Sequence, residues 1–154
     1  MTGSVNGPAG TSPHEAEGGP GPVSPAAGSA GLPDGRRAGP GETVWVFVSV
    51  VWPDRREEFL DFVREINAPA ARAVKPEAHA TMRLLEPTQP NADGTWSFVW
   101  LTDPVLPGED YELRPLLEEH YGSRAAADHL RRWEAMHVGD QLFYEVTQTA
   151  PADW

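Results

Sequence analysis

Ten consecutive residues, Thr43-Val-Trp-Val-Phe-Val-Ser-Val-Val-Trp52, are β-branched or aromatic except for Ser49, and Pro53 stops the run. Such a run predicts a strand. Its alternate residues are Val44, Val46, Val48 and Val50 on one side and Trp45, Phe47, Ser49 and Val51 on the other, so both faces are apolar. A strand of this kind lies inside a structure rather than on a solvated surface, because each face needs cover. Whatever this chain builds must supply that cover twice.

The residues before the strand cannot supply it. Positions 1–42 hold 11 of the 15 glycines and 7 of the 16 prolines, with Val5, Val23 and Leu32 as their only large aliphatic residues past the first methionine. That composition cannot bury enough surface to offset ordering entropy, so it reads as a disordered Gly/Pro-rich tail. It has neither the basic start nor the apolar run of a signal peptide. No apolar run in the chain approaches the roughly 18 residues of a membrane span, and a cytoplasmic location is expected. The folding part is 43–151, a single domain.

The chain has no cysteine and a formal net charge of −11. The first fact excludes a disulfide framework, a thiolate zinc site and a cysteine nucleophile. The second argues against binding nucleic acid through its phosphates or docking on an anionic membrane.

After Pro53, Asp54 and Glu57 have the spacing of a capping box, and Phe59, Phe62, Val63, Ile66 and Ala70 follow a helical stripe. Pro69 is expected to kink this helix or end its first part, and Pro76 to end it. His79 to Leu85 alternates as a second strand, with His79, Thr81, Arg83 and Leu85 on one face. Asn91-Ala-Asp-Gly94 turns the chain into a third strand, Thr95 to Thr102. Leu113–Tyr121 and Ser123–His137 read as helical, bent at Gly122 with Ser123 as a cap, and Gln141 to Thr147 as the last strand. The order is β-α-β-β-α-β: an α+β, ferredoxin-like unit, a four-stranded antiparallel sheet with two helices on one face.

Strand parity then sorts the residues. One set, including Val44, Val46, Val48, Met82, Leu84, Val99, Leu101, Leu142, Tyr144 and Val146, is mostly aliphatic and is expected under the helices. The opposite set, with Trp45, Phe47, Trp96, Phe98, Trp100 and Phe143 beside Ser49, His79, Arg83 and Glu145, mixes aromatic with polar groups. Apolar walls with a few polar groups are what small-molecule pockets consist of. The same aromatics would equally fill a dimer core with Arg83 and Glu145 paired.

This element order with two apolar sheet faces, over about Val44 to Thr149, resembles the dimeric α+β barrel superfamily, nearest in appearance to antibiotic biosynthesis monooxygenase-like proteins. The superfamily also holds small polyketide cyclases, haem-degrading monooxygenases, muconolactone isomerases and stress-responsive barrels. The resemblance implies a homodimer in which two sheets close a barrel and each subunit keeps a pocket between sheet and helices. If the aromatic face is the barrel wall, the pocket lies on the aliphatic side, reached by Tyr144, Met82, His120 and His137. Monooxygenase branches combine a strand Asn, a third-strand tryptophan and, in the haem-degrading branch, a histidine on the second helix. Trp96 or Trp100 matches the tryptophan and His120 the histidine, but the first strand has no Asn, only Thr43 and Ser49 as polar residues.

The expected function is that of a small-molecule enzyme of specialised metabolism acting without cofactor or metal. It oxygenates, cyclises or isomerises an aromatic or polyketide-like substrate. Trp45, Phe47, Trp96, Phe98, Trp100 and Tyr144 are the expected substrate wall. Arg83 is expected to stabilise developing negative charge while His79 or His120 moves a proton. His129 and His137 are eight residues apart, about two helical turns, too far to chelate one ion. The other class is a non-catalytic ligand-binding or structural barrel, in which the polar groups of that face pair with one another. Fold alone does not choose.

Overall fold

The computed structural model of the chain describes residues 36–150. The tail expected over 1–42 lies outside them except for its last residues, and these are bonded to the domain. Gly41 N–H donates to the Gln148 carbonyl at 2.9 Å, Gln148 N–H to the Glu42 carbonyl at 3.0 Å, and Ala38 N–H to the Asp103 carboxylate at 2.6 Å.

Four strands form one sheet: β1 (Thr43–Val51), β2 (Met82–Leu85), β3 (Trp96–Thr102) and β4 (Leu142–Thr147), in the spatial order β2-β3-β1-β4 with every pair antiparallel. β1 and β2 therefore run parallel with β3 between them, the split β-α-β arrangement. The fold is ferredoxin-like and of the α+β class.

The crossover from β1 to β2 is helical in three parts: α1 (Arg56–Phe62), α2 (Ala68–Val74) and α3 (Pro76–Thr81). A wide π turn over Val63–Asn67 joins the first two, and Ala68 N–H reaches the Val63 carbonyl five residues back. This lets Pro69 sit in the first turn of α2, where its missing N–H costs nothing. α4 (Leu113–Tyr121) and α5 (Ser123–Met136) fill the β3–β4 crossover. Gly122 joins them at φ +82°, a conformation glycine adopts without strain. Neither Asp54 nor Ser123 caps a helix through its side chain.

The second strand is shorter than expected. His79, Ala80 and Thr81 belong to α3, because Pro76 starts a new helical turn instead of only ending the old one. The Thr81 hydroxyl donates to the Ala78 carbonyl at 2.9 Å, and the chain becomes extended at Met82.

The helices cover the aromatic face, not the aliphatic one. Val51, Phe98 and Trp100 are buried with Phe59 and Phe62 of α1, Leu117 of α4 and Leu130 and Met136 of α5. Phe59 is central, with its ring 4.3 Å from that of Phe98 and 5.5 Å from that of Trp133. Pairing puts Trp45, Phe47, Ser49 and Val51 on the same side as Trp96, Phe98, Trp100 and Thr102 and as Phe143 and Glu145. So parity grouped the residues of β1, β3 and β4 as expected and placed each group on the wrong side. β2 alone lies as expected, with Met82 and Leu84 toward the helices and Arg83 away, so it is its grouping with the aliphatic residues of the other strands that fails. The uncovered side carries Val44, Val46 and Val48, Val99 and Leu101, and Leu142, Tyr144 and Val146. On β4 the last three are 51%, 53% and 45% exposed, and Phe143 on the other side of this edge strand is 50% exposed, so the helices leave both sides of β4 open.

Candidate functional site

Between the aromatic sheet face and the helices lies a cavity of about 620 Å³. Its floor is Trp45, Phe47, Trp100 and Phe143 with Met82 at the β2 edge. Ala71, Lys75 and His79 of the first crossover, Leu113 and Leu116 of α4 and Trp133 of α5 form its walls. The loop between β3 and α4 contributes Glu109, Asp110, Tyr111 and Glu112.

That loop is pinned at both ends of its cavity-lining stretch. Lys75 Nζ donates to the Asp110 carbonyl and lies 4.0 Å from the Glu109 carboxylate. The Tyr111 hydroxyl accepts from Leu106 N–H at 3.0 Å, and its ring stands edge-on to Trp45 with centroids 5.5 Å apart. Asp110 Oδ1 accepts from Glu112 N–H at 2.8 Å, an Asx-type bond that shapes the turn into α4. On the floor, Gln141 Nε2 donates to the buried Ser49 hydroxyl at 2.6 Å.

His79 is the one histidine among the described residues that line the cavity. It is half-buried in the wall, and no hydrogen bond among the described residues engages its ring. Burial pushes its pKa below the usual 6.5, and the nearby Arg72 charge adds to the effect. At neutral pH it is an uncharged base. His137 is more deeply buried but does not line the cavity: its Nδ1 lies 2.6 Å from the Trp133 carbonyl, and its Nε2 is buried without a partner among the described residues. Burial lowers its pKa too, and the bond to Trp133 offsets part of that.

Of the expected site residues, the cavity brings together His79, Trp45, Phe47 and Trp100. Arg83 does not join them, since β2 turns it to the uncovered face, where it pairs with Asp103 rather than with His79 or Glu145. His120 is exposed on α4 with its ring against Tyr121. Phe98 is fully buried against Phe59, and Trp96 lies under the Arg56 guanidinium at 5.0 Å. Tyr144 points to the uncovered face beside Val46. Sequence reasoning passed over Tyr111, Lys75 and Trp133 as site residues. Tyr111 sits in a proline-flanked loop with no periodic pattern, whereas Trp133 was legible only as one member of a helical stripe.

No family model matches the chain, and no curated protein matches it. Among solved structures, it is similar to a Caulobacter crescentus protein provisionally described as an antibiotic biosynthesis monooxygenase, at 12% identity and a TM-score of 0.39. That likeness spans 72% of this chain and 92% of the other. The fold assignment rests on the strand order and pairing.

Proposed function

We propose that the chain is a small-molecule enzyme that binds a flat aromatic or polyketide-like substrate in this cavity and moves a proton with His79. The observation that carries this reading is an uncharged, half-buried histidine in the wall of an aromatic-floored cavity. Trp45, Phe47 and Trp100 offer ring faces and edges to a planar ligand. His79 takes a proton from an acidic C–H or O–H and leaves an enolate or phenolate. In an isomerisation or cyclisation that proton returns at another atom of the same molecule. In an oxygenation the carbanion reacts with dioxygen, so that a CH2 group becomes C=O and the second oxygen atom leaves as water, with the substrate itself as reductant.

The uncovered aliphatic face supports a second element of the reading, a homodimer. An apolar sheet face with side chains half exposed is unusual on a solvated monomer and suits contact with a second copy of the chain.

The test is turnover of hydroxylated aromatics, followed by oxygen uptake and product formation. His79→Gln should keep binding within about twofold and lose at least about 100-fold in turnover, the scale of one general base. Unchanged turnover in that variant would overturn the role of His79. A second reading, a non-catalytic ligand-binding protein, draws on the internal pairing of Lys75 with the loop and of Gln141 with Ser49. Tight binding with no conversion of any bound compound would favour it.

A further inference from the structure

The loop between β3 and α4 is anchored to the rest of the domain at its base and bonded mostly to itself beyond it. At the base, Asp103 N–H donates to the Thr81 carbonyl at 2.8 Å and Val105 N–H to the Thr43 carbonyl at 2.9 Å. The Asp103 carboxylate also accepts from Arg83 and from Ala38 N–H. At the far end the chain enters α4 at Leu113, a helix held by the buried Leu116 and Leu117. Residues 106–112 hang between these two fixed points, and Glu109 to Glu112 line the cavity.

Within that segment, Glu109 N–H donates to the Leu106 carbonyl at 3.3 Å and closes a turn with Pro107 second and Gly108 third at φ +76°, the pattern of a type II turn. A Cβ at Gly108 would meet nothing within 4 Å, so no neighbour wedges the turn in place. The Tyr111–Leu106 and Asp110–Glu112 bonds are internal to the segment as well. A body that carries its own hydrogen bonds swings without breaking them. Apart from α4, into which it runs, the segment is hydrogen-bonded to one other element among the described residues, through the Lys75 ammonium on the Asp110 carbonyl. The Glu109 carboxylate stands 4.0 Å from the same ammonium, and the Tyr111 ring rests edge-on against Trp45. Lys75 is itself well seated at the α2–α3 junction, where its carbonyl accepts from His79 N–H at 2.9 Å. Its bond to Asp110 lies at the surface, so water takes over both partners when it parts.

We propose that residues 106–112 are the gate through which a ligand enters and leaves the cavity, and that Lys75 is the latch that holds the gate shut. The inference rests on the cavity reading above. Opening parts one ammonium–carbonyl bond and the Tyr111–Trp45 contact, while the base at Asp103 and Val105 and the core under α4 stay in place. Because the latch is one side chain from the opposite wall, it sets how often the gate opens whether or not the cavity is filled.

The experiment is stopped-flow binding of 2-naphthol, a flat two-ring phenol, to the full chain, read by quenching of tryptophan emission. Lys75→Met should raise the association and dissociation rates together, each about tenfold, the scale of one hydrogen bond from a charged group. Lys75→Arg, which still donates to a carbonyl, should stay near the unaltered rates. The chain has no cysteine, so a Lys75→Cys, Glu109→Cys variant carries only the two introduced thiols. Bridging them with a short bis-maleimide should slow both rates at least about tenfold relative to the same variant unbridged. Rates unchanged by Lys75→Met and by the bridge overturn the gate and leave the cavity reading standing. A faster dissociation alone in Lys75→Met, with association unchanged, means that Lys75 holds the ligand and overturns the latch. Failure of the unaltered chain to bind 2-naphthol overturns the cavity reading and the gate with it.

Discussion

The two faces of the sheet are built from the same four strands and come out as opposites. The helix-covered face is aromatic and carries the buried hydroxyls of Ser49 and Thr102, whereas the uncovered face is aliphatic, with Arg83 at its β2 edge. Covered aromatics leave gaps of irregular shape, because large flat rings cannot tile a surface. Aliphatic side chains of nearly equal size make a smooth plane. A cavity belongs to the first face and a flat apolar plane to the second. The apolar character that β1 shows on both sides therefore has two settings, a core with a pocket and an aliphatic plane that the proposed dimer would cover.

The sharpest way to break this comparison is to truncate one residue on each face. Phe59→Ala removes the ring that touches Phe98 and Trp133 and should cost about 3–5 kcal/mol in urea unfolding. Val46→Ala, on the uncovered face, should cost about 1 kcal/mol or less when measured at concentrations where the chain is monomeric. Equal losses would mean that the faces are covered alike. Next in size is Tyr144→Lys, which sets a charge on the β4 side of the aliphatic plane beside Val46. Its mass in solution by light scattering should be that of one chain where the unaltered protein has twice that mass, with phenol binding in the cavity unchanged. A monomeric parent, or a dimeric variant, removes the role of that plane.

The smallest effect is in pH. His79 and His137 both have pKa values lowered by burial, so between their folded values and the ordinary 6.5 the unfolded chain binds more protons than the folded one. Stability is then complete above about pH 6.5 and falls as the pH drops through that window. Melting temperatures from pH 7.5 to 5.5, above the range of most carboxylates, should decline. His137→Gln should flatten the decline in part. An identical slope in that variant would show that the covered face does not hold this histidine neutral.

Much of this was legible in the chain. Proline, glycine and β-branched runs punctuated the elements well enough to order them, and the twofold period sorted the residues of β1, β3 and β4 into the correct sets. Which set lay under the helices was not legible, since alternation records that Trp45, Phe47 and Phe143 share a side and says nothing of what covers it. Pro76 misled for a local reason, as the same residue stops one helix and starts another. That placed His79 on a strand with Arg83 when they belong to a helix and to the opposite sheet face. The bond from Lys75 to Asp110 spans 35 residues, and no local pattern announces it.

The wide turn over Val63–Asn67 acts on the cavity as a screw acts on a thread. Each residue of an α-helix turns the chain by about 100°, and a π turn accommodates one residue more than the regular helix would. Beyond it, α2 with Ala71 addresses a sector of the interior about a quarter-turn away from the one an unbroken helix would reach. The first half of the crossover keeps Phe59 and Phe62 on the core, and in the second half Ala70 and Ala71 continue that core while Ala71 also lines the cavity. The wide turn thus sets the phase in which the crossover passes from the core to the cavity wall.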